Sequence, residues 1–155
     1  VKVVLYKSPG FISQLIRWQT RSVYSHASLW FVSRNLLCES QYGKGIIFVD
    51  NPTFTCEVDV FRISGDFDYA KILEFIEAQK GKKYDYSSVC RFISRRQESR
   101  KSKGKWFCSE LVFAALQKGG LKLLERCEPW EVSPGLLSMS PFLVYEKTLN
   151  SNNGS

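Results

Sequence analysis

The stretch Lys105–Leu116, KWFCSELVFAAL, decides how this chain is read. Leu111, Val112, Ala115 and Leu116 recur at i, i+1, i+4 and i+5, the spacing of a helix with one buried stripe. Gly104 upstream and Gly119-Gly120 downstream mark its limits. Cys108 therefore falls in or just before the first turn, where unpaired backbone N–H groups and the positive end of the helix dipole favour an anion. A thiolate is such an anion, and it is the reactive form of cysteine. Cysteine is also a small apolar residue that is usually buried and inert. Position alone does not make Cys108 a nucleophile; a base must be found for it.

Composition bounds the search. The 155 residues, 44% hydrophobic and 14% aromatic, suffice for one domain with a sizeable core, expected over residues 1–149 with a disordered tail at 150–155. No apolar run approaches the length of a membrane span, and the N-terminus lacks a basic-then-apolar signal pattern. The five cysteines are odd in number and show no CxxC spacing, which argues against a disulfide framework and a zinc site. No metal or other cofactor is expected, and free thiols make a reducing cytoplasm the default compartment. The net charge of +7 favours an acidic partner without naming one.

Outward from the cysteine, the chain reads as strands and helices in alternation. Val1–Tyr6 is a β-branched, buried strand, and Phe11–Trp18 a short helix with Ser8 and Pro9 suited to its cap and first turn. Ser25–Ser33 is a strand, Arg34-Asn35 a two-residue turn, and Leu36–Gln41 its partner strand. Gly43–Val49 is another strand. Thr55–Ile63 alternates Cys56, Val58, Val60 and Ile63 with Glu57, Asp59 and Arg62, as a half-exposed strand does. Asp66–Gln79 is the clearest helix, capped by Asp66 or Asp68, with Ile72, Leu73, Phe75 and Ile76 inward and Gly81 at its end. Phe142–Tyr145 adds a last strand.

Two residues answer the need for a base. His26 is the only histidine and opens a strand otherwise made of Ala27, Leu29, Trp30, Phe31 and Val32. Glu39 lies on the next strand. Antiparallel pairing would bring its carboxylate near the imidazole, fixing the tautomer and stabilising the imidazolium. A satisfied structural histidine and a solvent-facing glutamate are the plainer readings of the same residues.

The order of strand with His, strand with Glu, then late helix opening with Cys resembles the permuted papain-like hydrolases of the NlpC superfamily, in particular the YiiX/YebB-like branch. The residues that carry it are Thr20-Arg21-Ser22 with Tyr24-Ser25-His26, Glu39 with Gly43 and Gly45, and Gly81 with Tyr84-Asp85. Trp106-Phe107-Cys108-Ser109-Glu110-Leu111-Val112, Trp130, Ser133-Pro134 and Ser140-Pro141 complete it. The resemblance spans nearly the whole chain.

It implies an α+β, circularly permuted papain-like (NlpC-type) fold, an antiparallel sheet with the nucleophile helix packed on one face. It also implies Cys108 as nucleophile, His26 as general base and then acid, and Glu39 as the residue orienting His26. The Cys108 backbone N–H would hold part of the oxyanion, with Tyr24 and Tyr84 as candidates for the second donor, each also readable as a packing aromatic. Glu110, a carboxylate close to the thiolate, is read as a first-turn dipole partner turned elsewhere. The expected reaction is cleavage of an amide, in a peptide or a cell-wall peptide, through a thioacyl enzyme. The alternatives are a lipid acyl hydrolase or acyltransferase on the same fold, and a non-catalytic binding protein with a basic surface.

Arg91, Arg95, Arg96, Arg100, Lys101, Lys103 and Lys105 form a basic run relieved by Glu98 that leads into the Cys108 helix. Such runs are often solvated loops; at a cleft mouth this one would attract an anionic substrate or surface. Nucleic acid is not expected, because no stacking aromatics interleave the basic residues.

Overall fold

The computed structural model of the chain describes residues 1–85 and 105–150. Val3, Val4 and Leu5 are fully buried, so strand β1 (Lys2–Tyr6) is covered on both faces and must be an inner strand. On one edge it pairs with β2 (His26–Phe31), which pairs in turn with β3 (Leu36–Gln41), and that with β4 (Gly45–Asp50). On the other edge lie β5 (Val58–Ile63) and then β8 (Leu143–Leu149). All five pairings are antiparallel, giving a six-stranded sheet in the order β4-β3-β2-β1-β5-β8. A short parallel pair, β6 (Lys83–Tyr84) with β7 (Lys105–Trp106), stands apart from it.

Period-two alternation divides the sheet's side chains into two cores. Val3, Leu5, Ala27, Leu29, Phe31 and Phe61 pack against α2 (Tyr69–Glu77) and α3 (Cys108–Lys118) through Ile72, Ile76, Leu111, Val112, Ala115 and Leu116. Val4, Leu37 and Val58 on the other face meet Trp30, Val49 and Phe54. Helix α1 (Phe11–Thr20) joins β1 to β2, and a single turn, α4 (Pro134–Leu137), precedes β8. No helix among the described residues is long and apolar enough to cross a membrane.

Several local expectations change. Helix α1 is entered through Gly10, with no side-chain cap from Ser8 or Pro9. The turn after β2 is a 3-10 turn over Val32–Arg34 closed by Asn35 in the left-handed region, not a two-residue hairpin. Strand β5 is buried on both faces except at Arg62, because β1 and β8 flank it. Its Asp59 accepts hydrogen bonds from Lys7, Tyr24 and Thr148, which satisfy the buried carboxylate. Asp68 caps α2 by accepting from the Lys71 N–H at 3.1 Å. Gly104, the basic run up to Lys103, and the tail beyond Asn150 lie outside the described residues.

Candidate active site

The start of α3 is tied down from three directions. Ser40, at the end of β3, donates its hydroxyl to the Trp106 carbonyl at 2.7 Å, and the Trp106 indole donates to Gln79 at 3.1 Å. Ser109 donates to the Val132 carbonyl. Glu110 turns back to accept the Phe107 N–H at 3.3 Å, satisfying one of the donors a helix start leaves unpaired. Cys108 is thereby the first residue of the helix, held at the end of the sheet where β2 begins and β3 finishes.

His26 opens β2 and pairs in register with Tyr6 of β1; Ser28, two residues on, pairs with Glu39 of β3. Alternation puts His26, Ser28 and Glu39 on one face. There the His26 Nε2–H donates to Glu39 Oε2 at 2.8 Å, and the carboxylate is only 7% exposed. Cys108 engages the same ring. Burial opposes charge on the imidazole. The Cys108 thiolate and then the Glu39 carboxylate outweigh it, and together they push His26 up to about 10. The three residues singled out from the sequence are thus neighbours around one imidazole.

A cleft of about 450 Å³ opens beside them, lined by His26, Glu39 and Tyr6, by Ile12 and Ile16 of α1, and by Leu37, Val49, Phe54 and Tyr84 with several hydroxyl side chains. Cys108 is itself 1% exposed and packs behind Ile12, Ile16 and Tyr84. Tyr84 also meets Phe107 edge-on at 5.9 Å.

Tyr24 does not line this cleft. Its hydroxyl donates to Asp59 Oδ2 at 2.7 Å and its ring packs on Phe61, so it braces the chain entering β2 and is not placed to serve an oxyanion. Ser133 and Ser140 of the sequence motif are structural as well. Ser133 caps α4 by accepting the Leu136 N–H, and Ser140 donates to the Leu123 carbonyl.

Tyr6 is the residue that sequence reasoning passed over. Its ring meets the His26 ring edge-on at 4.9 Å, and its hydroxyl lies 3.1 Å from Ser28 Oγ. Only the β1–β2 register reveals it, since 20 positions separate it from the histidine.

Among the described residues, no three His, Cys, Asp or Glu side chains are grouped to hold a metal ion; the His26 Nε2 is occupied by a hydrogen bond to Glu39.

No family model matches the chain, and no curated protein does. Among solved structures it is similar to the crystal structure of metalloprotein YiiX from Escherichia coli O157:H7. The TM-score is 0.68, with 94% of each chain covered and 16% sequence identity. That likeness shows a YiiX-like fold, a mixed α/β architecture on an antiparallel sheet.

Proposed function

We propose that the chain is a cysteine hydrolase in which Cys108 is the nucleophile, His26 the general base and acid, and Glu39 the residue that orients the ring. The observation that supports this reading is the imidazole held at 2.8 Å by a buried carboxylate and facing a thiol at a helix start. The order His26, Glu39, Cys108 along the chain is that of the circularly permuted papain-like, NlpC-type fold, which we propose it shares.

In the proposed reaction the Cys108 thiolate adds to the substrate carbonyl carbon, and the charge passes to the carbonyl oxygen. The Cys108 N–H and a second donor, for which Tyr84 is the remaining candidate, meet that oxygen. Collapse of the adduct expels the amine or alcohol, which leaves with a proton from His26 Nδ1, the nitrogen not bonded to Glu39. Water then adds to the thioester as His26 takes its proton, and the acid departs with the thiolate restored.

The leading substrate is an amide in a peptide or cell-wall peptide. The apolar wall of Ile12, Ile16, Leu37, Val49 and Phe54 favours a second reading, an acyl group carried by a lipid. The described cysteines Cys38, Cys56, Cys108 and Cys127 are all free, and a reducing, cytoplasmic setting is proposed on that basis.

Trapping tests the reading. Wild type and Cys108→Ala are incubated with cell extract and searched by mass spectrometry for a covalent acyl adduct. An adduct on Cys108 of the wild type alone supports the hydrolase, and its mass separates peptide from lipid acyl. Absence of any adduct, together with alkylation of Cys108 at pH 6–7 no faster than Cys38 or Cys56, overturns it.

A further inference from the structure

We infer that the outer face of α1 and its junction with α4 form a docking surface for an anionic phospholipid bilayer. The inference does not rest on the hydrolase reading, and its test uses no turnover.

Helix α1 has two unlike faces. Ile12, Ser13 and Ile16 line the cleft beside His26. At about 100° per residue, Trp18 is turned roughly 160° away from Ile16, onto the same side as the exposed Gln14. Trp18 is 73% exposed. Two more large apolar side chains stand out at the same corner of the fold. The Ser22 N–H donates to the Arg17 carbonyl at 3.1 Å, which holds Ser22 against the last turn of α1. Ser22 in turn is seated on α4 so closely that a Cβ on Gly135 would lie 2.4 Å from its side chain. Val23, the next residue, is 51% exposed, and Met139, four residues past Gly135, is 75% exposed. Of the large apolar side chains exposed among the described residues, Trp18, Val23 and Met139 thus gather where α1 meets α4. Exposed apolar residues scattered singly need no explanation, whereas a group of them marks an interaction site.

The charge around the group has one sign on the α1 side. Residues 1–38 contain no Asp or Glu. Arg17 lies in the last turn of α1 and Arg21 ends it in the left-handed region. Neither pairs with a carboxylate among the described residues. Glu131, the acidic residue nearest α4 along the chain, turns its carboxylate onto the Glu128 N–H at 2.9 Å.

Side chains as exposed as Trp18 and Met139 project from the surface; they do not line a groove that could receive a peptide. Projecting apolar groups framed by arginines suit insertion among lipid headgroups. An indole settles at the membrane interface with its N–H among the headgroups and its ring toward the acyl chains. A guanidinium meets lipid phosphate, and anionic lipid attracts each basic residue held at its surface. Either signal alone is weak, and the two together give attachment.

The full chain is mixed with vesicles of phosphatidylcholine alone, or of phosphatidylcholine with about 30% phosphatidylglycerol to supply the negative surface potential. Binding is read by flotation and insertion by the blue shift of tryptophan emission, with folding of each variant checked by circular dichroism. The wild type should bind the anionic vesicles with a blue shift, bind the neutral ones far less, and be released as NaCl rises from about 0.05 M to about 0.5 M. Arg17→Ser with Arg21→Ser should bind about 30-fold more weakly. Trp18→Ser should bind at least about tenfold more weakly and lose the blue shift. Tyr145→Ser, which removes an exposed aromatic from β8, should bind as the wild type does.

Equal binding by wild type, Trp18→Ser and the double arginine variant would place any vesicle affinity elsewhere in the chain and overturn the inference. Failure of the wild type to bind anionic vesicles at low salt overturns it as well. A wild type that sediments as a dimer, and as a monomer once Trp18→Ser is made, would give this surface to a second copy and overturn it too. None of these outcomes bears on the cysteine-hydrolase reading, which the trapping experiment decides.

Discussion

Glu39→Gln is the substitution that separates charge from shape in this site. The glutamine keeps the length and planarity of the glutamate and can still accept from His26 Nε2 at the 2.8 Å distance. It cannot offset a positive ring. A hydrogen bond to a charged group contributes about 1.5–3 kcal/mol and a neutral one about 0.5–1.5, so the change removes on the order of 1–1.5 kcal/mol. Coulomb's law at an effective dielectric of 20 sets a ceiling of about 6 kcal/mol for charges 2.8 Å apart, before desolvation is subtracted. The site is only partly screened, with side-chain exposures of 21% for His26 and 9% for Glu39. The expected loss is therefore about 5- to 13-fold in kcat/KM. Two anions raise the His26 pKa, and removing one lowers it, so the alkaline limb of the pH–rate profile moves down from near 10 toward the ordinary histidine range. The assay is the pH dependence of kcat and KM on an activated aryl ester for wild type, Glu39→Gln and Glu39→Ala. The alanine variant should lose more, since it leaves the buried Nε2–H without a partner. A loss below threefold in Glu39→Gln with an unmoved alkaline limb, in a protein that His26→Ala inactivates, would show that Glu39 does not orient the base.

Two further expectations concern the scaffold. Burial raises the Asp59 pKa, but hydrogen bonds from Thr148, Tyr24 and Lys7 outweigh it and hold the carboxyl below its usual value. The stability this contributes is present above the unfolded pKa of about 3.9 and is lost as pH falls through the lower folded value, so the urea midpoint should drop more from pH 5 to pH 3 in wild type than in Asp59→Asn. Parallel pH curves for the two would contradict the network. Gly45 has φ +80°, and a Cβ there would stand 2.3 Å from the Lys82 carbonyl oxygen, which accepts the Ile46 N–H at 2.9 Å. Gly45→Ala combines left-handed backbone strain with displacement of that bond and should destabilise by about 2–4 kcal/mol; an unchanged urea midpoint counts against it.

The elements that were legible in the sequence are those whose partners are local. Leu36–Gln41 is a strand with the bounds expected of it, and the apolar spacing after Cys108 gives a helix ending at Gly119. Strand β5 misled because Glu57, Asp59 and Arg62 look like a solvent-facing row. What makes Asp59 an interior residue is a hydroxyl 35 positions upstream and another 89 downstream. Tyr24, a candidate second donor that also reads as a packing aromatic, lies before the chain enters β2, and the Asp59 carboxylate takes its hydroxyl. The neighbourhood of His26 and Glu39 was readable as a pair of adjacent strands. Tyr6 belongs to it only through the ladder with β1, which no local pattern announces.

The placement of Cys108 carries an electrostatic problem that explains why the site needs as many parts as it has. A helix N-terminus is positive and repels an imidazolium as readily as it attracts a thiolate. A charged His26 beside the start of α3 is therefore stable only if anions outnumber that field locally. Glu110 does not contribute on this side, since its carboxylate is turned back onto the Phe107 N–H, where it completes the helix start. The burden falls on Glu39 and on Cys108, which both act on the same ring. Both are almost out of solvent, so neither is screened as a surface pair would be. Helix end, thiol, ring and carboxylate thus form one balanced arrangement, in which removing the Glu39 charge shifts the charge on His26 before it disturbs the fold.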